Sequence, residues 1–381
     1  MNRLYFLTLI LLTACSSSPT PASFFNLTPD SVSSTSTPLI QSETMPVGTD
    51  PSPTSEEAAG ELYFFYQPRT VGQSIELVKV SGLCVFDSAN CPPLEKIQVP
   101  FQFNFTINAL SWSPDGKYAA FSYSDSSNGT PTKLWLFDAD AKTWSAIAQF
   151  AYIDPPFWSS ENWIAFRTQD GLGNEDVYVI KPDGSALKNI STNLPKENRP
   201  YSMDGWVNDN VIMRSALTQK IFFVNTNGDV QEKFNKQIIA SPNGEHFVYD
   251  DFDSNTNMHT LKITSDFVNS NSLNQSPNSI FYPIVWSPDN DLIAFNIYNA
   301  NNQAEVYIIS KTGENLTMVY QGTTIGRLLF SPNGKYLLVE ETTSISGGHL
   351  FLTNLTTYEN KILQAPNLST DYDWYAPSWR P

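Results

Sequence analysis

Seven polar residues each follow a short apolar run: Tyr66, Ser122, Arg167, Arg214, Asp250, Asn296 and Glu340. Two guanidiniums, two carboxylates, an amide, a hydroxyl and a phenol are a set that binds. Arg167 and Arg214 on neighbouring units could fork a carboxylate, or Arg214 could pair with Asp250. Tyr123 and Tyr298, with the loops Ser124–Thr132, Thr168–Asp176 and Asp250–Asn257, extend this set into a candidate recognition face. The plainer account is that strands turn polar where they reach solvent. Difference between the seven residues favours binding, because structural repetition alone favours sameness.

Other chemistry is sparse. No nucleophile elbow, Walker-type loop or Gly-x-Gly-x-x-Gly loop occurs. His246, His259 and His349 lack metal-ligand spacing and read as structural or surface residues. We expect no metal and no cofactor. Cys84 and Cys91 would enclose a loop of eight residues. In an oxidising compartment we expect a disulfide there, worth roughly 2–3 kcal/mol by loop entropy; the alternative is two free thiols.

The elements that must carry these residues follow from a repeated phrase. Ser111-Trp112-Ser113-Pro114-Asp115-Gly116-Lys117-Tyr118-Ala119-Ala120-Phe121 reads as strand, tight turn, strand. Related phrases stand at Trp158, Trp206, Ala240, Trp286, Phe330 and Trp379, at spacings of 46, 48, 34, 46, 44 and 49 residues. A period near 40–45 with several short strands per unit predicts an all-β fold, a β-propeller. The recurring tryptophans read as wedge filling between blades, not as sugar-stacking surfaces.

The last copy, Ser378-Trp379, has no second strand after it, and Leu62–Phe65 has no Trp-turn before it. Joining them makes one composite blade from both termini and removes two open edges. The prediction is therefore seven blades, though the 34-residue step also fits six or eight. In the fifth blade, residues 235–273, no fourth strand is legible, and Ser265–Ser279 reads as loop.

The phrase Trp-Ser-Pro-Asp-Gly-Lys, followed by an apolar strand and an Asp-x-x-Gly-like turn, resembles the TolB-type (PD40) propeller repeat over residues 61–381. That resemblance implies a propeller that binds proteins in the cell envelope, and it implies no catalytic residue.

The first sixty residues are of another kind. Arg3 precedes the apolar run Leu4–Leu12, and Leu12-Thr13-Ala14-Cys15 matches a bacterial lipobox. We expect a signal peptide over 1–14, lipidation of Cys15, and anchorage of the chain outside the cytoplasm. In a cell with two membranes, Ser16 favours the outer one by analogy with other lipoproteins. Residues 15–60 are rich in Ser, Thr and Pro, with five acids and no Lys or Arg after Cys15. Such a segment reads as a disordered tether reaching about 40 Å. The net charge is −16, of which residues 1–60 contribute −4, so the folded part is itself acidic. Binding to nucleic acid through its phosphates is thereby disfavoured.

The sequence thus points to a monomeric, non-catalytic scaffold for an envelope or extracellular protein. Two alternatives stay open: a propeller hydrolase or lyase acting on a sugar or lactone, and a glycan-binding module.

Overall fold

The computed structural model describes residues 60–68, 75–82, 94–100, 110–123, 131–169, 175–277, 279–342, 349–363 and 372–381. These fall in one compact unit. Cys15, Cys84, Cys91 and the proposed tether lie outside the described residues.

Seven antiparallel sheets succeed one another along the chain. Blade 1 is the composite: Tyr372–Arg380 pairs with Glu61–Pro68, followed by Glu76–Ser81 and Glu95–Gln98. Blades 2 to 7 begin their inner strands at Ser111, Tyr152, Tyr201, Ile239, Ile284 and Ile325. The fold is a seven-bladed β-propeller closed by strands from both ends of the chain.

Seven apolar clusters hold the blades together, one in each wedge between neighbours. Phe64 and Val78 of blade 1 pack with Leu338 and Leu352 of blade 7. On its other face, Phe65 and Leu77 meet Ala119 and Phe121 of blade 2. The second strands bury both faces, which is why they read as continuous apolar runs.

The repeated turn explains its own sequence. Ser113 is fully buried. Its hydroxyl donates to Asp115 at 2.6 Å and accepts from the Tyr118 amide at 2.9 Å. Ser287 and Ser331 make the corresponding bonds in blades 6 and 7. The last turn position has positive φ, taken by Gly116, Gly244 and Gly334, and by Asn162 and Asn290 in blades 3 and 6.

The tryptophans fill wedges, and they also tie blades together. The indole nitrogens of Trp158, Trp206 and Trp286 donate to the backbone oxygens of Ser111, Phe157 and Ile239, each on the inner strand of the preceding blade. Trp112 donates to Ser378 Oγ across the closing seam. Arg380 strengthens that seam, reaching the Gly116 oxygen at 2.7 Å, Glu61 at 3.1 Å and Asp140 at 2.9 Å.

Blade 5 corrects the sequence reading. Asn271–Pro277 is its fourth strand, paired with Met258–Thr264. As the outermost strand it bonds on one side only, so its sequence is almost wholly polar. Phe267, within the segment read as loop, packs on Phe223, Phe234 and Phe247 of blades 4 and 5.

Candidate recognition face

The residues singled out above lie within the second strands, not beyond them. Each of these strands runs two or more residues past its apolar core, so the plain idea of a solvent-facing end is also incomplete. The position lies three residues beyond the partner of the Trp site. Trp112 pairs with Ala119, Trp158 with Ile164, Ala240 with Phe247, Trp286 with Ile293 and Phe330 with Leu337. Counting on three gives Ser122, Arg167, Asp250, Asn296 and Glu340. Trp206 pairs with Val211, which gives Arg214.

Blade 1 departs from the expectation. Trp379 pairs with Leu62, so the equivalent residue is Phe65, not Tyr66. Tyr66 faces the other way, buried against blade 7, with Lys96 Nζ 5.5 Å from its ring centre. No Trp-turn precedes Leu62 in the chain, so nothing in the sequence fixed the count. The ring is six polar residues and one phenylalanine.

The six point into the wedge toward the following blade, at the end where second-to-third loops lie. Ser122 and Asn296 are buried, and Asn296 Nδ2 donates to the Tyr282 oxygen at 3.1 Å. Tyr123 is buried in the core shared with blade 1, and Tyr298 packs half-buried against blade 7. Neither tyrosine therefore offers its ring as an open platform.

The charged members are engaged at short range. Arg167 pairs with Asp154 and Glu175 and also donates to the Tyr201 oxygen at 3.0 Å. Burial opposes its charge, but the two carboxylates outweigh burial and hold its pKa above the usual value. Asp154 is available because Pro155 and Pro156 interrupt the inner strand of blade 3, splitting it into Tyr152–Ile153 and Phe157–Trp158. Arg214 grips Asp204 through two bonds of 2.8 and 3.3 Å. Asp204 sits at an irregularity between Met203 and Gly205. The expected alternatives, a fork of both arginines on one carboxylate and an Arg214–Asp250 pair, are replaced by these partners within the blade.

The acidic members sit differently. Burial pushes Glu340 above the ordinary glutamate range, only partly offset by Arg327 at 3.5 Å, and its Oε2 has no hydrogen bond. Burial also pushes Asp250 up, opposed by His259, whose Nδ1 lies 2.6 Å from Asp250 Oδ2. Asp250 Oδ1 is buried without a hydrogen bond.

His259 was not anticipated as a site residue, whereas Phe252 lies within the candidate loop Asp250–Asn257. They are direct cross-strand partners, and their rings stack at 4.5 Å with 31° between planes. The alternation Asp250-Asp251-Phe252 was a usable signal, since it places Asp250 and Phe252 on one face. Among the described residues, no three of His, Cys, Asp and Glu come together as a metal site.

Comparison with known proteins agrees on the architecture. No family model matches the chain, and no curated protein does. Among solved structures, it is similar to the propeller domain of the Trilobed protease from Pyrococcus furiosus, with TM-score 0.57 and 13% identity, over 81% of this chain and 94% of that one. It is similar to TolB from Acinetobacter baumannii, with TM-score 0.51 and 15% identity, over 84% and 67% of the two chains. Periplasmic gluconolactonase from Pseudomonas aeruginosa gives TM-score 0.50 and 13% identity, over 84% and 100%. At such identities the likeness is one of fold, shared by TolB, a lactonase and a peptidase domain alike.

Proposed function

We propose that this chain is an extracytoplasmic lipoprotein, held to a membrane through Cys15, whose propeller binds an envelope or extracellular protein without catalysing a reaction. One observation carries the binding half. At a single backbone position repeated around the ring, six blades present polar side chains of five different types, arginine occurring twice, on the face of the second-to-third loops. A scaffold under packing constraints alone repeats one side chain there, as the turn serines do. The lipobox and the acidic tether support anchorage, and the TolB-like fold is compatible with protein contact.

The experiment is photo-crosslinking in intact cells. A photoreactive residue at Asn255, on the blade 5 loop of the recognition face, should capture a discrete partner. The same probe at Asn227, on a turn of the opposite face, should not. Equal capture from both positions, or from neither, overturns the assignment. Anchorage is tested separately: Cys15→Ser should abolish incorporation of labelled fatty acid and release the protein from membranes.

One arrangement favours a second reading. The Asp250–His259 pair also fits proton transfer, and a lactone-hydrolysis assay on the full chain, with His259→Ala as control, distinguishes enzyme from scaffold.

A further inference from the structure

The wedge between blades 5 and 6 joins an aromatic surface, an oriented imidazole and an incompletely bonded carboxylate. Asp250 and Phe252 share the strand face turned toward blade 6, where Val248 packs with Phe281 and Phe295. Phe252 is 48% exposed although it is a large apolar ring. His259 stacks beside it. The bond between His259 Nδ1 and Asp250 Oδ2 fixes the ring orientation. With the proton of a neutral ring on Nδ1, Nε2 is an acceptor, and it has no hydrogen bond among the described residues.

Charge decides what such a surface accepts. With the His259 ring neutral and Asp250 ionised, the pair carries one negative charge. The cations nearest this strand, Lys236 and Lys262, are both bound by Asp251, and Lys236 also acts on Asp250 through space without bonding to it. Asp251 lies on the strand's other face, where Lys236 sits over the Tyr249 ring. The chain as a whole carries −16. An anionic ligand is repelled. A neutral sugar could use the ring and Nε2 but gains nothing from the carboxylate. A planar cation uses all three: it stacks on Phe252, donates N–H to His259 Nε2, and lies in the field of Asp250.

We propose that this surface of Phe252, His259 and Asp250 anchors an arginine side chain of the partner protein. The proposal rests on the scaffold reading and names the chemistry of the contact. Lysine, a compact charge that cannot lie flat on a ring, should serve less well.

The test uses the full chain and four fluorescent octapeptides of Gly and Ser, identical except for one central Arg, Lys, citrulline or Glu. Fluorescence polarisation should show saturable binding of the Arg peptide, with citrulline weaker by about tenfold or more and Lys between them. Phe252→Ala should remove most of that binding without changing the melting temperature, and Phe252→Trp should retain it. His259→Gln and Asp250→Asn should each weaken it. Equal binding of Arg and citrulline peptides, no saturable binding of the Arg peptide, or full binding by Phe252→Ala overturns the proposal.

Crosslinking from Asn255 in the Phe252→Ala background separates the two claims. A partner still captured as efficiently there leaves the scaffold standing and removes the arginine anchor. A working peptide site with no cellular partner does the reverse.

Discussion

Replacing Ser113 with alanine tests whether the repeated turn is held as described. The hydroxyl is fully buried and makes two bonds at once. Its loss leaves the Tyr118 amide without its acceptor and Asp115 without its donor. An unsatisfied amide of this kind costs about 1–3 kcal/mol, and the lost bond to a carboxylate adds to it. We expect a total of about 2–3 kcal/mol. For a domain of about 320 residues the unfolding entropy is roughly 0.7 kcal/mol/K, so the melting temperature should fall by about 3–5 °C in calorimetry.

The same substitution has a pH signature. The Ser113 hydroxyl, with the Lys117 amide, holds Asp115 below the usual aspartate range. A lowered carboxylate adds stability above its unfolded pKa and loses it as pH falls through its folded value. Ser113→Ala should therefore flatten the acid limb of the stability curve. Asp115→Asn keeps an oxygen acceptor for the hydroxyl and should cost less, as Asn243 and Asn333 do the same work in blades 5 and 7. A Ser113→Ala protein melting within about 1 °C of wild type, with an unchanged acid limb, refutes the reasoning.

Two further outcomes follow from the ring. Glu340→Gln should stabilise the protein at neutral pH. Burial raises the pKa of Glu340, so its contribution is intact below the unfolded glutamate value and declines as pH rises through the folded one; denaturant titration at pH 4 and pH 7 should show the variant's advantage only at the higher pH. Trp286→Phe keeps the wedge filled but removes the bond to the Ile239 oxygen, and should lower stability by about 1 kcal/mol in urea unfolding.

The fold was legible where the chain writes local rules. Pro114, Asp115 and Gly116 specify a turn by themselves, and the Trp spacing specifies the period. The unmatched Leu62–Phe65 and Ser378–Trp379 predicted the closing pair, which the structure forms. Blade 5's last strand was hidden because an outermost strand needs no apolar residues. The shared backbone position of the candidate residues was legible in six blades, and their contacts were misread. Asp154, Asp204 and Arg327 stand four, two and three residues before the Trp site of their blades, so no fixed offset announces the pairs with Arg167, Arg214 and Glu340. Bulges and prolines on the inner strands set those offsets, and they act only once the blade is assembled. His259 was read as a structural or surface residue because its pairing with Asp250 depends on lying opposite Phe252, a matter of register and not of spacing.

All of these assignments depend on one register, set where the two termini meet. Thermal unfolding of a chain lacking residues 372–381 measures that directly. We predict loss of the cooperative transition, or a melting temperature lower by more than 10 °C, roughly the effect of stripping Glu61–Pro68 of its inner partner. A shortened chain that unfolds as sharply and at the same temperature as the intact one contradicts the closed ring.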